Sequence, residues 1–330
     1  MPQSPQRTYR KALSWLVKIA IVLAAFWFIY KEVFAKQDIL LNFRDMLDHP
    51  LDYQLLALVL LLVFVNWGFE SMKWKSLIDK LERITYRKAF QAILSGVTVS
   101  IFTPNRIGEY AGRIFHLEKA DRINAVLVTM VCGISQLLVT IFTGLIAVAI
   151  FTHRFIQIEQ YMSIYYYYSL LILVIGVAFF LLFAYLNASL VAPMIKKMEI
   201  LGKYRSYGRL FSRFSKAELT KVLTYSFGRY AVFTLQFFLL LRIFGVEIDY
   251  PNALMLISIT YFVMAIIPTI AIAELGVRGS VAVYFIGMVS NNDLGILTAS
   301  FMLWLINLAL PALLGSLFIF KLKFFRQKTT

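Results

Sequence analysis

Thr103-Pro104-Asn105-Arg106-Ile107-Gly108-Glu109-Tyr110-Ala111-Gly112-Arg113 breaks an apolar stretch, and its second half returns as Glu274-Leu275-Gly276-Val277-Arg278. The two glutamates lie half of this 330-residue chain apart. Each motif follows a proline, Pro104 or Pro268, and each proline follows an apolar run too short to cross a bilayer comfortably. A Glu and an Arg four apart pair on any helix, and Glu118 with Arg122 repeats that spacing with no proline before it. The proline, the glycine and the half-chain offset together point to a duplicated membrane protein with a site between its halves.

Composition sets the solvent. Hydrophobic residues make up 60% of the chain, charged ones 15%, and the mean hydropathy is +0.73. A soluble protein of this length could not hide so much apolar surface. The net charge of +15 is not read as a nucleic-acid footprint, because the basic residues sit in the gaps between apolar runs. There they orient the spans and meet anionic headgroups at the cytoplasmic face. A single cysteine, Cys132, can build neither a disulfide nor a multi-cysteine metal site. Arg7, Arg10 and Lys11 before an apolar run resemble a signal peptide, but that run is bulky from Leu16 to Phe34, so a retained span is expected.

Six segments approach the roughly 20 apolar residues that a span needs: Leu16–Phe34, Tyr53–Phe69, Ala125–Phe151, Ile164–Leu186, Val222–Phe244 and Gly295–Phe320. Trp15, Tyr30, Trp74 and the run Tyr165 to Tyr168 read as an interfacial aromatic belt. The loop from Asn187 to Lys221, with Lys203, Arg205, Arg209 and Arg213 among its basic residues, should be cytoplasmic, either as an amphipathic segment lying on an acidic leaflet or as a plain orientation signal. The segment Glu70–Lys88, the N-terminus and the tail with Lys321, Lys323, Arg326 and Lys328 belong on the same side. Thr152–Ser163 and Gly245–Asn252 carry few positive charges and should face outward. The expected location is the cell (inner) membrane, with both termini cytoplasmic.

These sides constrain the motifs. The stretch 89–124 must enter and leave by the cytoplasmic face, and 253–290 by the outer face. Ala89–Thr103 would make a helix of roughly 22 Å, short of a hydrocarbon core of roughly 30 Å. The expected fold is therefore an all-α polytopic membrane protein of one domain: six full spans plus two opposed re-entrant helical hairpins. The first repeat covers 1–152 and the inverted second repeat 153–330. Eight to ten full spans give the same loop sides, and loop charge does not separate the two plans.

Proline ends the helical ladder, and backbone groups freed at membrane depth must be satisfied by protein or a wet cavity. An ionisable side chain at mid-bilayer costs on the order of 2.5–3.5 kcal/mol, so such residues pair or line a cavity. The candidate substrate-binding residues are accordingly Pro104, Arg106, Gly108, Glu109 and Arg113, with Pro268, Glu274, Gly276 and Arg278. A guanidinium fork and a helix N-terminus both suit phosphate. The glutamates would hold the arginines in the empty site or carry protons. The alternative is plain intrahelical pairing. Asn66, Gln136, Arg229, Gln236, Arg242 and Asn307 read as weaker candidates: the amides as interhelical glue, the arginines as snorkelling residues.

These motifs resemble the lysylphosphatidylglycerol synthase transmembrane region, the flippase-like family of integral membrane proteins. The resemblance spans roughly Leu16 to Phe320 and rests on Pro104, Arg106, Gly108 and Glu109, and on Pro268, Glu274, Gly276 and Arg278. It implies a lipid translocation module. Ile270-Ala271-Ile272-Ala273 stands where relatives often have a glycine-rich turn, which bears on the shape of the second hairpin. So few residues follow Phe320 that the aminoacyl-transferring domain of two-part synthases, and synthase activity, are not expected.

Three function classes compete. The first is a flippase-like transporter of an anionic phospholipid or lipid-linked precursor. The second is a small-solute or ion transporter on the same inverted plan. The third is an intramembrane enzyme, which is disfavoured because His49, His116 and His153 are too few and too scattered for a metal centre. No G-x-x-x-x-G-K loop is present, so ATP-driven transport would need a partner. No cofactor is called for, and self-association into a homo-oligomer is compatible with every reading.

Overall fold

The computed structural model describes residues 50–101, 103, 106–156, 163–188, 210, 211, 213–267 and 271–320, with isolated positions between 13 and 30. Among these the chain is helical and has no strand: α1 Pro50–Ile78, α2 Tyr86–Ser100, α3 Gly108–Ile114, α4 Arg122–Phe155, α5 Ile164–Leu186, α6 Lys216–Ile243, α7 Tyr250–Ile266, α8 Ala271–Ile286 and α9 Asp293–Ile319. Four helices, α1 from Tyr53, α4, α5 and α9, are long and apolar enough to cross a membrane. Most of the expected span at Leu16–Phe34 and most of the basic loop fall outside the described residues, as do Pro104, Asn105 and Pro268.

Two expectations change. The span expected to end at Phe69 runs on to Ile78. Glu70 and Lys73, assigned to a cytoplasmic segment from their charge, are buried on the inward face of α1. The physical reason is mutual neutralisation, since their side chains pair 2.7 Å apart. The stretch Val222–Phe244 lies on α6, which has the length of a span but carries polar groups inward, with Ser226, Thr234 and Gln236 buried. Helix α5, by contrast, has the expected bounds. Its Tyr165, Leu170, Ile172, Phe180 and Phe183 are exposed, as befits a helix solvated by lipid.

Polar caps fix where the helices start. Thr85 accepts the Lys88 N–H, Asp121 the Asn124 N–H and Ser215 the Glu218 N–H, the last within a reciprocal capping box. Asp249 and Asn292 cap α7 and α9 in the same way. Contacts between these caps define two ends of the molecule. At one, Lys80 bonds the Glu218 carboxylate, and Glu82 accepts the backbone N–H groups of Glu118, Lys119 and Ala120. At the other, Arg154 bonds Asn252, and Asn292 donates to the Phe244 carbonyl. Thus α2 and α3 begin and finish at the first end, whereas α7 and α8 begin and finish at the second. Their arms have 15, 7, 17 and 16 residues, all below the roughly 20 of a full span.

The first pair is antiparallel and closely packed. A Cβ on Gly112 would lie 2.5 Å from the Gly96 Cα and 2.7 Å from the Ser95 carbonyl oxygen. Glycine is therefore required there for packing between backbones, as in other close helix crossings in membranes. Gly112→Val should lower stability by about 1–3 kcal/mol, read as a lower melting temperature in detergent. An unchanged melt would contradict the close approach.

The Glu82 nest gives a pH signature. Burial raises its pKa, but the Ala120 and Lys119 N–H donors and the Lys88 ammonium outweigh that and hold it below the usual carboxylate range. Because the folded-state value is depressed, this stabilisation is present above the ordinary carboxylate pKa of about 4.3. It is lost as pH falls through the lower folded value. Melting of Glu82→Gln should accordingly be lower than wild type at neutral pH and flatter in acid. Identical acid profiles would show that the nest adds nothing.

Candidate functional site

The break between α2 and α3 is closed by polar groups of its own. The Thr103 hydroxyl accepts the Gly108 N–H at 2.7 Å, and the Thr103 carbonyl accepts the Arg106 N–H at 3.2 Å. Arg106 itself has φ 56°, a left-handed conformation costing a non-glycine residue roughly 1–2 kcal/mol. That strain is balanced by what the side chain reaches. Its Nη2 lies 2.7 and 3.0 Å from the two carboxylate oxygens of Glu274, and its Nε lies 3.3 Å from Oε2. The two breaks therefore meet.

Glu274 sits in the first turn of α8, and Arg278 follows one turn later on the same face, its Nη2 donating to Oε1. One carboxylate thus holds two guanidiniums, from both halves of the chain. A second knot lies beside it. Glu70 Oε1 accepts Arg113 Nη1 at 3.0 Å, and Oε2 faces Arg229 Nη1 at 2.9 Å and Lys73 at 2.7 Å. Arg113 is also bound by Glu109, at 2.6 Å. Arg229 continues through Nε to Asn66, whose amide donates to Asn307. Its guanidinium stacks over Trp67, 5.0 Å from the ring centre.

Asn307 lies in a π turn, Leu305–Ala309, in the middle of α9. Pro311, four residues on, has no N–H to give the Asn307 carbonyl, so the α ladder is interrupted there. Such turns aim side chains off the regular helix and recur at functional sites. Here the displaced Asn307 side chain reaches the space between the two knots.

That space is a cavity of about 520 Å³. Its charged wall is Arg106, Arg229, Arg278 and Glu274, and Trp67, Gln136, Thr140 and Asn307 face it from α1, α4 and α9. Each cation reaches it through a different break or helix, so the site exists only when both motif regions are docked. Three guanidiniums beside one carboxylate make a wall suited to an anion.

The family model for the lysylphosphatidylglycerol synthase TM region matches residues 15–318. The chain belongs to this family. A search of curated proteins found no match. Family membership and four apolar helices of membrane length make it an integral membrane protein of lipid-related function.

Of the residues singled out from the sequence, Arg106, Glu274 and Arg278 line the cavity of this family member. Arg113, expected to contact substrate, is not in the cavity lining: it is 3% exposed and held between Glu70 and Glu109. Glu109 is part of that knot and lies outside the cavity wall. Gly108 packs on the Val99 carbonyl, and Gly276 is exposed with open space around it, so neither touches the cavity. Pro104 and Pro268 lie outside the described residues; Ala271 onward is helical, so Glu274 stands in the first turn of α8.

Arg229 corrects a second expectation. It does not snorkel but lines the cavity on Glu70, whereas Arg242 is exposed. The amides behave as glue in part: Asn66 bonds Asn307, and Gln236 bonds the Val59 carbonyl. His116 pairs with Ser95 at 2.8 Å, a local hydrogen bond. Among the described residues no three His, Cys, Asp or Glu side chains gather as a metal would need. Glu70 and Lys73 look like loop residues by charge, but their period places them on a buried helix face. Trp67, Ser71, Trp74 and Ile78 continue the buried face of α1 straight through them.

Proposed function

We propose that the chain is a non-enzymatic lipid transporter that passes an anionic headgroup across the bilayer through this cavity. The pairs α2/α3 and α7/α8 then act as re-entrant hairpins of an inverted repeat, entering from opposite faces, with the Lys80 and Glu82 end cytoplasmic. The observation that carries the reading is the Arg106–Glu274 contact, which joins the two breaks beside a cavity walled by three arginines. In a low-dielectric site such cations attract a headgroup more strongly than they would in water. Glu274 neutralises Arg106 and Arg278 when the site is empty and yields them to the incoming anion. The acyl chains stay in lipid throughout.

Reconstitution tests the substrate class. Liposomes holding the purified protein, labelled anionic lipid and a trapped anionic solute should exchange the lipid between leaflets and retain the solute. Solute release with no change of leaflet would favour a soluble-anion transporter instead. Orientation has its own check, and the buried Cys132 keeps the background low. In intact cells a membrane-impermeant thiol reagent should label Asn252→Cys and leave Ser215→Cys unlabelled. Labelling of Ser215→Cys would invert the assignment.

A further inference from the structure

We infer that the cavity selects a headgroup bearing two negative charges, a phosphomonoester or a diphosphate, over singly charged, zwitterionic and cationic headgroups. The inference rests on reading the cavity as an anionic-headgroup site. The two knots together hold Lys73, Arg106, Arg113, Arg229 and Arg278 against Glu70, Glu109 and Glu274. Five cations face three carboxylates, so among the described residues the two knots carry two positive charges in excess. An uncompensated charge in this medium is far costlier than at the surface, and a dianion compensates both.

The distribution of charge is as informative as its sum. Glu274 is the one carboxylate in the cavity wall among the described residues, and both its oxygens are already taken by Arg106. Glu70 and Glu109 are outside the cavity wall, paired with Lys73, Arg113 and Arg229. An ammonium group, such as that of an aminoacylated lipid, would meet three guanidiniums in the wall and, among the described residues lining it, no carboxylate but the already paired Glu274. The neutral lining points the same way. The Trp67 indole N–H, the Asn307 amide N–H and the Arg278 Nε–H are buried without a hydrogen-bond partner, and all three are donors. A phosphomonoester offers three terminal oxygens to such a set, where a phosphodiester offers two. The Gln136 carbonyl oxygen, also buried and unpartnered, supplies one acceptor that suits a headgroup hydroxyl.

The test is calorimetric titration of the full chain in neutral detergent. The ligands are dioctanoyl forms of phosphatidic acid, phosphatidylglycerol, phosphatidylcholine and lysylphosphatidylglycerol, with glycerol 3-phosphate as the soluble counterpart. Phosphatidic acid should bind at least about tenfold more tightly than phosphatidylglycerol, since one further charge is neutralised. Phosphatidylcholine and lysylphosphatidylglycerol should bind more weakly still. Arg229→Gln, which removes one cation from the excess, should shrink the ratio of the first two toward one, and Arg229→Lys should restore it. Should Arg229→Gln fail to fold, Arg106→Gln makes the same subtraction at the other knot.

Equal affinity for phosphatidic acid and phosphatidylglycerol, both lost in Arg278→Gln, would overturn the two-charge inference and leave the headgroup reading standing. Glycerol 3-phosphate binding as tightly as phosphatidic acid would keep the dianion and overturn the lipid. Affinities that Arg278→Gln leaves unchanged for every ligand would overturn the headgroup reading and this inference with it.

Discussion

Arg278→Gln protein should insert and fold but move lipid roughly tens to a hundredfold more slowly than wild type. The change leaves a shorter, neutral side chain with some donor capacity and deletes one of the three positive charges in the cavity wall. Glu274 keeps Arg106 as its partner, so no carboxylate is left unpaired and the fold should survive. A hydrogen bond to a charged group is worth about 1.5–3 kcal/mol, which corresponds to a loss of roughly tens to a hundredfold in affinity for the anion. Transfer rates in proteoliposomes should fall by a similar factor while the melting temperature shifts little. Wild-type transfer by this variant would make Arg278 a structural pair of Glu274 and nothing more.

Glu70→Gln should have the opposite signature, collapsing the fold. The Glu70 carboxylate alone binds Lys73, Arg113 and Arg229, at 2.7, 3.0 and 2.9 Å. Without its charge, Arg113 retains Glu109, but Lys73, itself 1% exposed, has no other carboxylate within reach among the described residues. Breaking a buried pair from one side costs about 3–5 kcal/mol, comparable with the whole stability of many domains. The expected result is loss of monodisperse protein after extraction, partly recovered by the double change Glu70→Gln with Lys73→Met, which removes the stranded cation. If Glu70→Gln melts like wild type, the ion-pair knot is not what holds α1 to α3 and α6.

What the sequence disclosed and what it hid both follow from burial. Helix α5 was legible to the residue because almost its entire surface meets lipid, so hydropathy alone defines it. Helix α1 was cut short at Phe69 because Glu70 and Lys73 look like a loop until their partners are known, and those partners come from α3 and α6. The convergence of Arg106 with Glu274 followed from proline, short arms and loop charge. Which arginines face the cavity did not, because Arg113 and Arg278 occupy equivalent places in their motifs. The difference between them is Glu70, a residue on a third helix that no motif contains.

Lipid headgroups are proposed to pass through the cavity where the two breaks meet. Thr140 lines that cavity without joining either ion-pair knot, and Leu137, on the same helix α4, is 44% exposed on the outside. Each can be made a cysteine in a protein whose native Cys132 is buried, and each can carry a bulky thiol reagent. The measurement is the rate of labelled anionic lipid transfer in proteoliposomes before and after that modification. Blocked transfer for modified Thr140→Cys with full transfer for modified Leu137→Cys is the predicted result, and undiminished transfer through modified Thr140→Cys would contradict the account.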